Sequence, residues 1–132
     1  MVTAAQIQKV RNLLAEVGAK IVSDNTIETA YEIAQRFVDR EATASDADAL
    51  EDAYMMLTRV FCYESFIEIT HREIGHYPEG SKNIIKEIKA TANMFLRAVG
   101  INDAFETKAR ELKMPPIVSM TPSKAASDAI EV

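Results

Sequence analysis

The stretch that determines the fold runs from Ser45 to His76 and reads SDADALEDAYMMLTRVFCYESFIEITHREIGH. It contains no proline, and its first glycine is Gly75. Because proline and glycine disfavour helices most strongly, this stretch predicts one long central helix over about residues 46–75. Ser45 and Asp48 have the spacing of a capping box, so we expect the helix to begin there.

Apolar residues cover much of the circumference of this helix. One row at three-and-four spacing is Leu50, Ala53, Leu57, Val60, Glu64, Ile67, His71 and Ile74, and a neighbouring row adds Met56 and Tyr63. Such a helix lies in the centre of a bundle or contacts another subunit. Glu64 and His71 interrupt the first row. On a buried face Glu64 needs a partner, such as Arg59, Lys89 or Arg97; at the rim it needs none.

The flanking segments predict shorter helices. Thr3 and Gln6 form a capping box for a first helix that ends at Gly18. Asp24 or Asn25 caps a second helix, and Ser81 caps a fourth that ends at Gly100 in a Schellman-type turn with Ile101. Asp103 begins a short fifth helix. The predicted inner face of the second helix consists of Ile27, Ala30, Tyr31, Ala34, Phe37 and Val38.

These patterns predict an all-α, single-domain bundle of four to five helices over residues 1–113. At 132 residues, with 48% hydrophobic and 27% charged residues, the chain is long enough to bury a core and is balanced as in globular proteins. From Met114 the sequence changes to PPIVSMTPSKAASDAIEV. We predict an extended C-terminal tail or arm over 114–132.

Hydropathy and cysteine content point to a cytoplasmic-type protein. No window approaches the roughly 18 uninterrupted apolar residues of a membrane span, and the N-terminus lacks the apolar core of a signal peptide. The single cysteine, Cys62, has no second thiol to pair with. We interpret it as a small apolar core residue.

Charge is distributed unevenly along the chain. Residues 24–54 carry nine acids and two bases, a net of −7, whereas residues 81–113 carry seven bases and four acids, a net of +3. Lys82, Lys86 and Lys89 share one face of the fourth helix. This face is either solvated or docks onto an acidic protein surface. The opposite charges can attract each other within one chain or head to tail between copies.

The Glu and His side chains suggest two possible catalytic functions. Glu68-x-x-His71 has the spacing of a di-iron ligand pair, but Glu73-x-x-His76 follows on the same helix, so the two cannot surround a metal pair. The stronger alternative is a Mg²⁺-dependent all-α nucleotide pyrophosphohydrolase that uses Glu28, Glu32, Glu64 and Glu68. Phosphate-binding loops and HExxH or GxSxG motifs are absent from the sequence. Basic residues without interleaved aromatics disfavour a nucleic-acid partner.

The sequence therefore favours a non-enzymatic helical protein for protein–protein interaction or assembly, without a cofactor. It fits a viral or bacterial structural or adaptor subunit, or an inhibitor of a larger complex. We expect a cytoplasmic or, for a viral protein, virion location, protein partners, and a homo-oligomer or a larger assembly. The predicted interface residues are Met56, Val60, Tyr63, Glu64, Ile67, His71, Lys82, Lys86, Lys89, Ile117, Val118 and Ile130.

Overall fold

The computed structural model of the chain describes residues 2–19, 22–102 and 104–107. These residues form helices and connecting segments, with no strand among them. The helices are α1 (Ala4–Glu16), α2 (Asp24–Glu41), α3 (Ala47–Ile74), α4 (Ser81–Ala98) and the short α5 (Ala104–Thr107). The predicted all-α class is confirmed, and the helix count agrees with the expected four to five. The predicted tail, 114–132, lies outside the described residues.

Helix α3 has 28 residues and contacts α1, α2 and α4. Seven consecutive residues in its middle, 57–63, are all buried. Successive side chains of a helix point about 100° apart, so a buried run of this length needs neighbours on every side. Other parts of the same chain cover these side chains of α3.

Helices α2 and α4 each present one apolar face to the core. All six residues of the predicted inner face of α2 are buried. In α4, Ile88, Ala92 and Leu96 are buried. Apart from the exposed Met94 on α4, the outer faces of both helices carry mainly polar, charged and small side chains, which is the amphipathic pattern of a helix packed on one side.

Two of the predicted helix-end motifs are present in the structure. The capping box of α1 is present. The backbone N–H of Gln6 donates to the Thr3 hydroxyl at 3.1 Å, and the backbone N–H of Thr3 donates to Gln6 Oε1 at 2.9 Å. The Schellman turn of α4 is also present, since the N–H of Ile101 donates to the Leu96 carbonyl at 2.9 Å and that of Gly100 to the Arg97 carbonyl at 3.0 Å.

Three predicted N-caps are displaced by one residue. Ser23, rather than Asp24 or Asn25, caps α2 by accepting from the Thr26 N–H. Asp46 replaces Ser45 as the cap of α3, with its carboxylate accepting from the Ala49 N–H. Gly80 occupies the cap position of α4 without a side-chain hydrogen bond, and Ser81 is the first helical residue.

The connection between α2 and α3 is attached to the end of α4. The backbone N–H groups of Thr43 and Ala44 donate to the Val99 carbonyl at 2.9 and 3.3 Å. Gly100 has φ of 92°, and a Cβ at this position would overlap the Thr43 hydroxyl. This close approach requires glycine for both conformation and space.

Candidate functional site

Helices α3 and α4 are joined by an ion pair that explains the polar interruption at Glu64. Lys89 Nζ lies 3.3 Å from Glu64 Oε2, and the two side chains are 37% and 38% exposed. Lys89 Nζ also lies 5.5 Å from the centre of the Phe105 ring, within the range of a cation–π contact. The carboxylate is therefore both paired and near the rim.

The turn between α3 and α4 presents an aromatic and apolar surface, which we call the hairpin end and define as His71, Ile74, His76 and Tyr77. The His71 ring stacks on the Tyr77 ring with centroids 4.2 Å apart and an interplanar angle of 18°. Ile74 is 58% exposed and Tyr77 is 53% exposed. The surface combines a fixed aromatic pair with an exposed aliphatic side chain.

Two glycines give the hairpin end its shape. Gly75 has φ of 86° and ends α3, with its N–H donating to the His71 carbonyl at 2.8 Å. Gly80 has φ of 76° and occupies the N-cap position of α4. The N–H of Ser81, the first residue of α4, donates to the Pro78 carbonyl at 3.1 Å. The left-handed residues reverse the chain and bring Tyr77 back over the last turn of α3.

The structure separates the predicted interface residues into groups. Val60 and Tyr63 are buried in the core of this chain, so their side chains do not reach its surface. Met56 and Ile67 are partly buried against the same core. His71, Lys82 and Lys86 are exposed. Ile117, Val118 and Ile130 lie outside the described residues.

Tyr77 is not among the predicted interface residues, and Ile74 was predicted only as a member of the helical row. The sequence signal for Tyr77 is its position between Gly75 and Pro78, in a turn that cannot be helical. Large apolar side chains in such turns are covered only if the turn folds back onto the core.

Arg59 is not the partner of Glu64. Its side chain is buried, Nη2 lies 3.7 Å from the Met56 sulfur, and Nε has no hydrogen-bond partner within the described chain. Burial lowers the pKa of its guanidinium, and the charge of Glu16 partly opposes this effect. Arg59 is therefore a buried charge whose loss of hydration is only partly offset by hydrogen bonds and opposite charges.

The only cysteine is chemically protected. Cys62 is fully buried as a free thiol, and this burial raises its pKa to about 12. A thiol with that pKa holds almost no nucleophilic thiolate near neutral pH. The position fits the predicted role as a core residue.

The carboxylates proposed for Mg²⁺ are not gathered into one site. Among the described residues, no group of three or more His, Cys, Asp or Glu side chains is close enough to hold a metal ion. Glu64 instead pairs with Lys89, and the exposed Glu68 lies 4.0 Å from Arg72 on the same helix.

Comparisons with known proteins identify no relative. The sequence matches no protein-family model, and no curated protein or solved structure matches the chain. In the part of the chain that the structure describes, no helix combines the length and apolarity needed to cross a membrane.

Proposed function

We propose that this chain is a non-enzymatic protein that binds other proteins through the hairpin end. The supporting observation is the distribution of exposed apolar side chains. Among the described residues, three large hydrophobic side chains are exposed, Ile74, Tyr77 and Met94, and two of them lie together in the hairpin end. Contiguous exposed apolar patches mark sites of protein–protein interaction, and these two side chains are the start of such a patch in this proposal.

The geometry of Tyr77 suits this role. Tyrosine is enriched among the residues that contribute most to protein interfaces. Stacking on His71 already restricts the Tyr77 ring, so binding costs less side-chain entropy than for a free side chain. In this proposal α3 is the central axis of the bundle, and its C-terminal end presents the binding surface.

The proposed role is that of a structural or adaptor subunit in a viral or bacterial assembly. An inhibitor that docks on a larger complex would use the same surface. In either role the partner is a protein, and the proposed location is the cytoplasm or a virion. The alternative is the Mg²⁺-dependent hydrolase, whose four glutamates belong to no group of three or more potential metal ligands among the described residues.

Photo-crosslinking in the cells that naturally produce the chain tests the proposal. A benzophenone amino acid replaces Tyr77 in one variant and the exposed Ala5 on α1 in a matched control. We expect a protein adduct of defined mass from position 77 and none of that mass from position 5. Adding Ile74→Ser to the Tyr77 variant should reduce the adduct, since Ile74 belongs to the same surface.

Equal labelling at both positions would contradict the proposal. Mg²⁺-dependent release of pyrophosphate from nucleotides by the purified chain would also contradict the proposal, if that activity is lost in the Glu64→Ala variant. That variant removes the ion pair with Lys89, so the retained helical circular dichroism of the variant is the control for folding.

A further inference from the structure

Two outward rows of charge, on α2 and on α4, have no ion-pair partner within the described chain. The half-buried Glu28 and the exposed Glu32 form an acidic row on α2, and the exposed Lys82 and Lys86 form a basic row on α4. None of these four takes part in a salt bridge among the described residues, unlike Asp24, which pairs with Arg11. Within the described residues the two complementary charge rows therefore lack ion-pair partners.

The two rows have the same repeat. Residues four apart on a helix are neighbours about 5–6 Å from each other, so each row is a short ridge of like charge. The basic row continues along the same spacing into the exposed Ala90 and Met94, the latter 65% exposed. Ridges of this i, i+4 type interdigitate when two helices cross at about −50°.

From this complementarity we propose that the chain associates weakly with a second copy of itself, the basic row of one copy contacting the acidic row of the next. The contact is heterologous, because each copy uses α4 on one side and α2 on the other. Each copy then retains one unused row, so the association continues head to tail. The inference rests on the proposed interaction function and specifies one partner for it.

The expected affinity is low. Exposed ion pairs contribute little each, and two crossing helices bury less surface than a stable interface. We therefore expect a dissociation constant on the order of millimolar or weaker at low ionic strength. Association driven by these rows weakens with salt, because the screening length falls from about 30 Å at 0.01 M to about 3 Å at 1 M.

Analytical ultracentrifugation of the full chain tests this inference. At about 20 mM salt the average mass should rise above the monomer mass of 14.7 kDa as concentration increases, and at about 0.5 M salt it should return to that mass. Charge reversal in Glu28→Lys/Glu32→Lys, or in Lys82→Glu/Lys86→Glu, should abolish the rise. An equimolar mixture of the two variants should restore it, since the reversed rows complement each other across copies.

Reversal of exposed charges elsewhere provides the control: Lys9→Glu on α1 and Asp52→Lys on α3 should each leave the association unchanged. A chain that is monomeric at low salt, or a mixture that fails to restore association, would overturn the inference. Association that strengthens with salt would overturn it too, because attraction between opposite charges weakens with salt. A monomeric chain whose Tyr77 position still crosslinks to another protein would leave the interaction function intact.

Discussion

Glu64 and Lys89 connect α3 to α4 through a 3.3 Å ion pair in which both side chains are little more than one-third exposed. The pair lies ten residues before the end of α3 at Ile74 and eight after the start of α4 at Ser81, the pairing expected of an antiparallel hairpin. The pair joins the two helices that carry the hairpin end and agrees with their antiparallel register.

This pair should contribute modestly to stability. Partial exposure leaves the charges well solvated, so a double-mutant cycle of Glu64→Gln and Lys89→Met should give a coupling of about 0.5 kcal/mol in urea unfolding. The coupling should fall in about 0.5 M salt. A salt-independent coupling above about 2 kcal/mol would show that the pair is buried instead.

The contact between Gly100 and Thr43 predicts an unequal cost for two glycine substitutions. Gly18 and Gly100 both have positive φ, of 81° and 92°, but only a Cβ at Gly100 meets another side chain. Gly18→Ala should cost about 1 kcal/mol from backbone strain, and Gly100→Ala about 1–3 kcal/mol more from overlap.

Thermal or urea unfolding of both variants measures this difference. Thr43→Ala combined with Gly100→Ala should recover much of the additional loss, because the overlapping hydroxyl is removed. Equal costs at the two glycines would contradict the close approach of the α2–α3 connection to α4.

Two neighbouring tyrosines should respond oppositely to loss of their hydroxyl groups. The rings of Tyr31 and Tyr54 contact edge to face with centroids 6.0 Å apart. The buried Tyr31 hydroxyl has no hydrogen-bond partner within the described chain, whereas the Tyr54 hydroxyl donates to the Asp39 carboxylate. Tyr31→Phe should leave the free energy of unfolding unchanged or raise it slightly, while Tyr54→Phe should lower it by about 1 kcal/mol.

Denaturant titration of the two variants side by side checks this prediction. Each substitution removes one oxygen from the same packed pair, so each serves as the control for the other. A larger loss in Tyr31→Phe than in Tyr54→Phe would mean that the Tyr31 hydroxyl has a partner in solution.

Burial of Cys62 predicts a loss of stability at alkaline pH. Its pKa is about 12 in the folded chain against 9.0 for an unburied thiol. Below pH 9 the Cys62 thiol is protonated in both the folded and the unfolded state, so its burial causes no loss of stability there. Above pH 9 the unfolded state loses the proton first, and stability falls by about 1.4 kcal/mol for each pH unit until about pH 12.

The comparison of wild type with Cys62→Ala isolates this effect. Tyr31 and Tyr54, whose pKa values burial raises to about 12, contribute equally in both proteins and titrate mainly above pH 10. Between pH 8 and 10 the wild type should therefore lose about 1.4 kcal/mol more than the variant. Identical pH profiles, or rapid thiol labelling of the native chain at pH 7, would show that Cys62 is accessible.

Apolar periodicity predicted the helices more reliably than it predicted their first residues. All six residues of the predicted inner face of α2 are buried, together with Thr26, because a 3.6-residue period is set by the whole helix. The caps at Ser23, Asp46 and Gly80 were each missed by one position. From the sequence alone, two neighbouring short polar residues are equally good N-cap candidates. The direction from which the chain enters the helix decides which of them is the cap.

The candidate surface was less predictable for a physical reason. An apolar circumference shows that a helix is covered, but not whether its own chain or another chain covers it. Val60 and Tyr63 were predicted as interface residues, yet the chain buries them itself. The exposed Tyr77 belongs to a turn, where no periodicity indicates which way a side chain points.

The mass of the native complex in extracts of the source cells tests the interaction function most directly. Size-exclusion chromatography of the wild type should place the chain well above its own 14.7 kDa, and Ile74→Ser/Tyr77→Ser should shift it to a lower mass. The exposed charge variant Lys9→Glu, made as a control, should elute with the wild type. Elution of the wild type and of the hairpin-end variant at the same mass would contradict the proposed role of this surface.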